Sequence, residues 1–380
     1  MNARECAFRA LKRCTQQGSW SSQTLDAEIR RACDGNGNSD RDTALAARIV
    51  LGVLQNLYLL DFYIDSFAAK PDKLEPDVRN ILRIGAFQLR FLDRVPAHAA
   101  VSESVELCRK YGYKSACGLV NAVLRKISGS CPEPDSLAVK YSHPQWFVSR
   151  LSELYGESFA EAFLAADNEE PPLDTHPGFA ADETYVQDRA AWEAVRMLAP
   201  VPGSRVLDAC AAPGGKSFTA AMMMENRGEI ISCDIHEKKL RRISEGAERL
   251  GIGIIRVLPA DAGVYRAEFD SAFDAVIADV PCSGFGVIRK KPEIRYKKEE
   301  EIAGLPAVQR RILKNVSGYV KPGGRLLYST CTVFPEENEE IVSAFTAENP
   351  SFCVISQRSF FPNIDHTDGF FASVLERKAE

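Results

Sequence analysis

The chain has 380 residues, 45% of them hydrophobic, which is enough for two or three domains with apolar cores. No apolar run approaches the roughly 18 residues that a membrane-spanning helix needs, and the N-terminus lacks the apolar core of a signal peptide. The eleven cysteines are scattered without a C-x-x-C pair, which argues against a disulfide framework or a zinc site. We therefore expect a reduced, cytoplasmic protein that binds neither a metal nor a membrane, and a monomer by default.

The net charge of −5 does not by itself suggest a nucleic-acid partner. The charge is unevenly distributed, however, because basic side chains slightly outnumber acidic ones in the first 150 residues and the remainder is acidic. A weakly basic domain followed by an acidic one permits RNA binding without requiring it.

Residues 1–130 have the periodicity of helices. Apolar residues recur at helical spacing in RDTALAARIVLGVLQNLYLLDFYIDSF and in PDVRNILRIGAFQLRFLDRVP. No convincing period-2 alternation interrupts them. The pattern predicts an all-α bundle over residues 1–130.

Residues 131–184 are predicted to connect two domains. A break rich in Pro, Ser and Gly, SGSCPEPD, precedes a helical segment from about Pro144 to Ala166 and the irregular stretch NEEPPLDTHPGFAADE. From about residue 185 to residue 380, short β-rich runs alternate with helical segments. The runs are SRVLDA, GEIISCD, IIRVLPAD, FDAVIADVP and GGRLLYST. This alternation predicts a doubly wound, Rossmann-like α/β domain with a parallel sheet.

A glycine turn and several acidic residues follow the predicted strands, at the edge where open α/β sheets bind ligands. The turn Pro213-Gly214-Gly215 comes after the first strand, and the next strands end at Asp234, Asp261 and Asp279. Asp234 suits the two hydroxyls of a ribose, and Asp261 suits an adenine amino group. The turn lacks the spacing of dinucleotide and phosphate-binding loops. The pattern favours a nucleoside without phosphates, with S-adenosylmethionine as the obvious candidate, although each carboxylate singly would be read as a helix N-cap.

Two cysteines follow the last two of these strands. Cys282 comes three residues after Asp279, and Cys331 ends the run LLYST. A lone cysteine is most often a buried apolar residue. At this edge, however, a thiolate could add to C6 of cytosine, which makes C5 nucleophilic enough to take an electrophilic methyl group. Asp279 would stabilise charge near N3, and a second group, for which Cys282 is available, must help remove the C5 proton.

Three stretches of the chain, CAAPGGK, ADVPCSGFGVIRKKPEIRY and LLYSTCTVFPEENEEIV, resemble the motifs of the NOL1/NOP2/Sun family of RNA cytosine-C5 methyltransferases. The resemblance implies that Cys331 is the nucleophile and that Cys282 assists C5 deprotonation and product release; the catalytic role of Asp279 follows from its place near N3. It also implies S-adenosylmethionine as the cofactor. The cofactor-binding residues would be Cys210, Ala211, Ala212, Pro213, Gly214, Gly215, Lys216, Asp234, Asp261 and Asp279.

The N-terminal half carries a second resemblance. The stretch from Val78 to Ile127 is similar to the RNA-binding fold of the antitermination factor NusB, and HPQWFVSRLSELYG is similar to the connector found between such a domain and a catalytic one. The combination implies small-subunit (16S) ribosomal RNA as the substrate. One departure is large: an RRM-like subdomain is expected after Pro171-Pro172, but only about a dozen residues precede Tyr185. The sequence leaves open whether this is a true deletion, and the loss would affect RNA binding rather than the cofactor residues.

The basic run VIRKKPEIRYKK follows Cys282 and is the best local candidate for phosphate contacts. The residues expected to bind RNA are Arg289, Lys290, Lys291 and Arg295. A solvated charged face is the ordinary alternative. None of the five histidines has a partner at metal-ligand spacing.

Two other functions compete with the enzyme interpretation. One is a non-catalytic RNA-binding, ribosome-assembly or antitermination-type factor that carries a relic methyltransferase domain. It is disfavoured because both cysteines and all the cofactor carboxylates are present. The other is a dehydrogenase, which lacks the expected glycine spacing.

Overall fold

The computed structural model describes residues 2–17, 22–33 and 40–379. They form two compact units: Met1–Glu169 together with Ile288–Tyr296, and Glu170–Val287 together with Lys297–Glu380. The segment predicted as a connector, 131–184, is therefore divided at Glu169. The segment Ile288–Tyr296 packs with the first unit, although it follows Cys282 closely in sequence.

The first unit is helical, which confirms the prediction of an all-α domain. Its helices are α1 (Ala3–Gln17), α2 (Ser22–Cys33), α3 (Asp40–Gln55), α4 (Leu57–Phe67), α5 (Pro76–Phe91), α6 (Ala97–Lys110), α7 (Cys117–Ile127), α8 (Leu137–Lys140), α9 (Gln145–Tyr155) and α10 (Glu157–Ala166). The apolar stripes of α1, α3, α5 and α7 meet in one core that buries Phe8, Ile49, Leu54, Ile81 and Leu124. Burial of these stripes against one another holds the helices together.

The second unit contains a seven-stranded sheet. Its strands are β3 (Arg205–Asp208), β4 (Glu229–Asp234), β5 (Ile255–Pro259), β6 (Phe273–Asp279), β7 (Val320–Thr330), β8 (Phe352–Phe360) and β9 (Phe370–Arg377), after a small hairpin of β1 (Thr175–Pro177) and β2 (Thr184–Val186). The order across the sheet is β5-β4-β3-β6-β7-β9-β8. The five strands β3 to β7 are parallel and β9 runs antiparallel to both neighbours. This is the predicted Rossmann-like fold.

Helices cover both faces of that sheet. They are α11 (Arg189–Leu198), α12 (Gly215–Met223), α13 (Glu237–Arg249), α14 (Glu299–Ile302), α15 (Leu305–Ser317), α16 (Glu339–Glu348) and α17 (Pro362–Asp365). Side chains of β6 alternate between the two cores: Ala275 and Ile277 pack with α11 to α13, and Val276 and Ala278 pack with α15 and α16. A strand buried on both faces in this way reads as the continuous apolar run seen in the sequence.

Two parts of the second unit differ from the sequence expectation. The stretch expected to be irregular contains the hairpin, in which His176 pairs with Tyr185. Strand β8 was not predicted, because most of its side chains are exposed or half-buried and give no alternating pattern. Both are peripheral to the parallel strands, so neither changes the edge at which the predicted site residues lie.

Candidate active site

The parallel strands bring their carboxyl ends to one edge of the sheet. Chain order reverses between β3 and β6, because β4 and β5 lie on one side of β3 and β6 and β7 lie on the other. Asp279 pairs with Ser329 at the ends of β6 and β7. Asp208 at the end of β3 lies beside Ile277 of β6. A crevice outside such a switch point is the usual ligand site of open α/β sheets.

The predicted glycine turn follows β3 and begins α12. The Ala211 N–H donates to the Cys233 carbonyl at 2.7 Å, and the Gly214 N–H donates to Ala211 at 2.7 Å. Gly214 has φ of +116°, and a Cβ there would lie 2.7 Å from the Phe218 ring. Only glycine fits this position without displacing the Phe218 ring.

Gln187, which the sequence analysis did not single out, packs against the glycine turn. The Gln187 side chain would lie 3.2 Å from a Cβ at Gly215, and its Oε1 accepts a hydrogen bond from Thr219. The carboxylate of Asp188 accepts from the Ala190 N–H at the start of α11. The Gln187 contacts hold the turn and the first part of α12, and the Asp188 cap fixes the start of α11 directly after Gln187.

Asp208 is fully buried beneath the turn. Its Oδ2 accepts from the Ser217 hydroxyl at 2.7 Å, and its Oδ1 has no hydrogen-bond partner. Burial raises the pKa of Asp208 from 3.8 to about 7, with a further contribution from the Asp279 charge. Asp208 is thus a buried, easily protonated carboxyl rather than a group that touches a substrate. Burial likewise raises the pKa of Cys210 well above its ordinary value, so Cys210 is a thiol and a poor nucleophile.

A cavity of about 320 Å³ lies beside the turn. Its lining includes Cys210, Asp234, Ile235, Asp261 and Pro281. One oxygen of Asp234 accepts from the His236 N–H, and one oxygen of Asp261 accepts from the Gly263 N–H, both at 2.8 Å. Each carboxylate is thereby oriented and retains a second oxygen with which it can bind a ligand. Ile235 remains 62% exposed, which is unusual for isoleucine and offers an apolar surface inside the cavity.

Lys216 and Asp279 form an ion pair at this edge, with Nζ 2.8 Å from Oδ2. The Ser329 hydroxyl donates to the other oxygen of Asp279 at 2.8 Å. Burial alone would lower the pKa of Lys216, but the Asp279 carboxylate more than compensates, and the pKa is raised. Lys216 is therefore a cation held against the carboxylate predicted to be catalytic.

The two predicted thiols meet, although 49 residues separate them. The Sγ atoms of Cys282 and Cys331 are 3.2 Å apart, and the Cys331 N–H points to the Cys282 sulfur at 3.3 Å. Both residues are half-buried. The hydrogen bond with Cys331 and burial raise the pKa of Cys282 well above its ordinary value, and the charges of Cys331, Glu337 and Asp279 act in the same direction. Two further residues that the sequence analysis did not single out, Gln309 and Glu337, lie buried between the two loops.

The four basic residues predicted to bind RNA differ in their exposure to solvent. Lys291 is exposed and Lys290 is half-buried, but Arg289 is 92% buried and Arg295 is fully buried. The Arg295 guanidinium donates to backbone carbonyls and to one side chain within the first unit. Its acceptors are Gln55, Tyr141, Ser142 and Asp167 through their carbonyls and Asn168 through Oδ1. A phosphate cannot reach this group without displacing those partners, so the assignment of Arg295 as an RNA contact is wrong.

Neither a metal cluster nor a membrane span emerges from residues 2–17, 22–33 and 40–379. In these ranges, no group of three or more His, Cys, Asp or Glu side chains could hold a metal ion. Within the same part of the chain, no single helix is long and apolar enough to cross a membrane. Helices α3 and α4 pass that test only as a pair, and the pair is bent by 79°.

Comparison with known proteins identifies both units. A family model for the NusB family matches residues 1–129, and a model for the 16S rRNA methyltransferase RsmB/F matches residues 195–376. Fold and site together define a Rossmann-like methyltransferase unit preceded by a NusB-type helical domain.

A probable ribosomal RNA small subunit methyltransferase B of Bacillus subtilis (strain 168) is 33% identical over 446 aligned positions, covering 99% of each chain. The ribosomal RNA small subunit methyltransferase B of Vibrio cholerae serotype O1 is 32% identical, covering 100% of this chain and 98% of the relative. The chain therefore belongs to the ribosomal RNA small subunit methyltransferase B (RsmB/Sun) family.

Two details qualify the comparison. The 446 aligned positions with the Bacillus protein exceed the 380 residues of this chain by 66, so at least that many positions of the alignment are gaps in this chain. A solved structure titled "Crystal Structure of PH0851" superposes with a TM-score of 0.78 over 98% of both chains, at 23% identity. At that identity the likeness shows the fold alone.

Proposed function

We propose that the protein transfers a methyl group from S-adenosylmethionine to C5 of a cytosine in small-subunit ribosomal RNA. The observation that carries the proposal is the pair of thiols, 3.2 Å apart, at the carboxyl edge of the sheet. A methyltransferase that acted on a nitrogen or an oxygen would need neither thiol, because those atoms carry a lone pair. Carbon 5 of cytosine does not, so it must first be activated by addition at C6.

The residues of the cavity fit the cofactor. Gly214 has a positive φ that favours glycine, which lets the chain turn sharply after β3 beside the cavity. Asp234 and Asp261 supply acceptors for ribose hydroxyls and for an amino group. Ile235 and Pro281 supply apolar surface for an adenine ring. When bound, S-adenosylmethionine supplies an electrophilic methyl group that the activated C5 can take.

Cys331 is the nucleophile in this proposal, as the family resemblance implies. The hydrogen bond with Cys331 and burial raise the pKa of Cys282, with the charge of Cys331 as a further cause, so Cys282 keeps its proton before addition. The Cys331 sulfur bonds to C6 and the ring takes up the electron pair. Lys216 and Asp279 would contact the ring near N3, where the Lys216 ammonium stabilises this negative charge and the Asp279 carboxylate holds the ammonium in place.

Cys282 takes over once Cys331 has been consumed. A sulfur bonded to carbon carries no charge, so one of the causes that raise the Cys282 pKa disappears on addition. Cys282 can then give its proton to solvent water and, as a thiolate, accept the proton on C5. The C5–H electron pair re-forms the C5–C6 double bond, the C6–S bond breaks, and Cys331 leaves as a thiolate. The short distance between the two sulfur atoms is therefore used twice: it keeps Cys282 protonated before addition and places it near C5 for release.

The target base must be unstacked, because C6 cannot be attacked inside a stacked helix. Lys291 and Lys290 remain proposed phosphate contacts, with Arg289 as a weaker candidate because of its burial. The free thiols require a reducing compartment, for which we propose the cytoplasm. The monomeric state and the division into domains 1–130, 131–184 and 185–380 also stay predictions.

Incubation of the protein with methyl-labelled S-adenosylmethionine and 16S rRNA from cells that lack the modification tests the proposal. We expect label at cytosine C5, loss of turnover in Cys331→Ser, and a denaturant-resistant RNA–protein adduct in Cys282→Ala. Absence of label would favour an RNA-binding factor with a relic catalytic unit. Full activity of Cys331→Ser would overturn the assignment of the nucleophile.

A further inference from the structure

A buried pair of polar side chains, Gln309 of α15 and Glu337, holds the loop that carries Cys282. Both are almost completely buried, at 0% and 2% exposure. The Gln309 Nε2 donates to the Pro281 carbonyl at 3.0 Å and to Glu337 Oε2 at 2.8 Å. The same Glu337 oxygen accepts from the Ser283 N–H at 2.9 Å. The peptide groups on both sides of Cys282 are therefore held by one pair of side chains, which we call the Gln309–Glu337 bracket.

Glu337 itself is fixed on the loop that follows Cys331. Its N–H donates to Phe334 in a short 3₁₀ turn, Pro335–Glu337, six residues after the second thiol. Its carbonyl accepts from the Tyr328 hydroxyl at 2.6 Å, which ties it to β7. The bracket thus connects the two cysteine loops through one carboxylate.

This arrangement is costly for the fold, which suggests that it serves the site. A buried carboxylate loses its hydration, and Glu337 Oε1 and Gln309 Oε1 have no partner in return. Neither side chain is bonded to a sulfur. An apolar pair of similar size would fill the same space without that cost, but it could not hold both peptide groups beside Cys282.

We propose that the Gln309–Glu337 bracket positions Cys282 against Cys331 for the release step, so that both are positioning residues of the reaction. The inference rests on the function proposed above and adds to it the residues that separate release from addition. The Cys331 side has an anchor of its own, because Cys331 directly follows Thr330, the last residue of β7, which pairs with Phe371 of β9. Loss of the bracket should therefore displace Cys282 and leave Cys331 in place.

The chemistry makes the two steps unequally sensitive. Addition requires only the Cys331 thiolate near C6. Release requires the Cys282 sulfur to reach the C5 proton while the C6–S bond is still intact, and a displacement of about 1 Å in such a transfer can cost roughly a hundredfold in rate. Without the bracket, the loop retains the Ser283–Thr332 hydroxyl contact and the Lys297 bond to the Ser283 carbonyl. On the Pro281 side, the Val280 N–H still donates to the Ser329 carbonyl at 3.1 Å, but none of these bonds involves the Pro281 carbonyl or the Ser283 N–H that flank Cys282.

The test uses the full chain with 16S rRNA and S-adenosylmethionine. For Glu337→Ala and Gln309→Ala we expect kcat to fall about a hundredfold, KM for RNA to stay within about threefold, and a denaturant-resistant RNA adduct to accumulate as in Cys282→Ala. Glu337→Gln keeps a carbonyl acceptor for Ser283 and should restore most of the turnover. Glu340→Ala, which removes an exposed carboxylate at the start of α16, is the matched control and should behave like the unmodified protein.

Three results would overturn the inference: wild-type turnover in both alanine variants, loss of turnover without adduct, or failure of Glu337→Gln to restore activity although thermal melting and cofactor affinity are preserved. The proposed function is judged separately. If Cys282→Ala also forms no adduct, the covalent mechanism itself is at fault; if only the bracket variants form none, the bracket alone is wrong.

Discussion

Asp208 gives the second unit a pH dependence that can be measured directly. Its carboxyl is fully buried, and its pKa is about 7 in the folded chain against an ordinary 3.8. Below about pH 4, Asp208 is protonated in the folded and unfolded states alike, and it contributes no pH dependence. Between pH 4 and 7, only the folded state keeps the proton, so the free energy of unfolding falls as the pH rises. Above pH 7, both states are ionised and the loss levels off.

The magnitude follows from the rise of about 3 pKa units. Each unit corresponds to about 1.4 kcal/mol, so ionised Asp208 lowers the free energy of unfolding by about 4 kcal/mol at pH 8, of which about 3 kcal/mol is lost between pH 5 and pH 8. Asp208→Asn removes this titration and keeps an oxygen that can accept from Ser217. The amide introduces a buried N–H group in place of the unpaired oxygen, which adds a penalty of about 1–3 kcal/mol that does not change with pH.

The assay is unfolding in urea at a series of pH values, followed by hydrogen exchange on peptides from β3 and β4 so that it reports on the second unit. The quantity of interest is the free energy of unfolding of the unmodified chain minus that of Asp208→Asn. We expect this difference to fall by about 3 kcal/mol from pH 5 to pH 8. A difference that stays constant within about 1 kcal/mol would show that Asp208 is ionised throughout and would refute the argument from burial.

Two substitutions test other parts of the fold. Arg295→Met leaves the carbonyls of Gln55, Ser142 and Asp167 without this donor, so we expect the first unit to lose about 3–5 kcal/mol. Urea unfolding, followed by hydrogen exchange in α3 and α10, measures this loss. Lys291→Met, at an exposed position, is the control. Equal stability of the two variants would contradict the conclusion that Arg295 stabilises the first unit from a buried position. Gly214→Ala puts a Cβ at a positive φ and 2.7 Å from Phe218, which costs about 1–3 kcal/mol. Calorimetry should show weaker S-adenosylmethionine binding than in Gly118→Ala, where the Cβ meets open space, and unchanged affinity would refute the fit of the turn.

Sequence patterns were sufficient for the elements that are buried on both faces. Strands β3, β4 and β6 are largely apolar runs with buried interiors, and the polar residues at the ends of these strands marked one edge of the sheet. The hairpin β1–β2 escaped notice because each strand has three residues and only one of the six is buried. A run of three residues is too short for apolar and polar residues to alternate more than once, so the sequence cannot distinguish such a strand from a loop.

Arg295 shows why a charged residue can mislead a sequence argument. It lies in a basic run after the cysteine loop, and local composition favours a solvent-facing position. Its burial depends on carbonyls contributed by residues 55, 141, 142 and 167, which are more than a hundred positions away along the chain. Such convergence of acceptors is a property of the folded unit, and no local pattern in the sequence encodes it.

The meeting of the two thiols, in contrast, follows from strand register. Strands β6 and β7 are adjacent and parallel, and Asp279 pairs with Ser329. Cys282 lies three residues beyond Asp279, and Cys331 lies two residues beyond Ser329. Both sulfurs therefore lie close to the same point of the sheet's carboxyl edge. A slip of one residue would turn every side chain of β7 to the opposite face and would separate the thiols. The buried alternation of Val276, Ile277, Leu326 and Leu327 between the two cores forbids that slip. The hydrophobic pattern that forms the sheet therefore also fixes the distance on which the proposed exchange of roles between the two sulfurs depends.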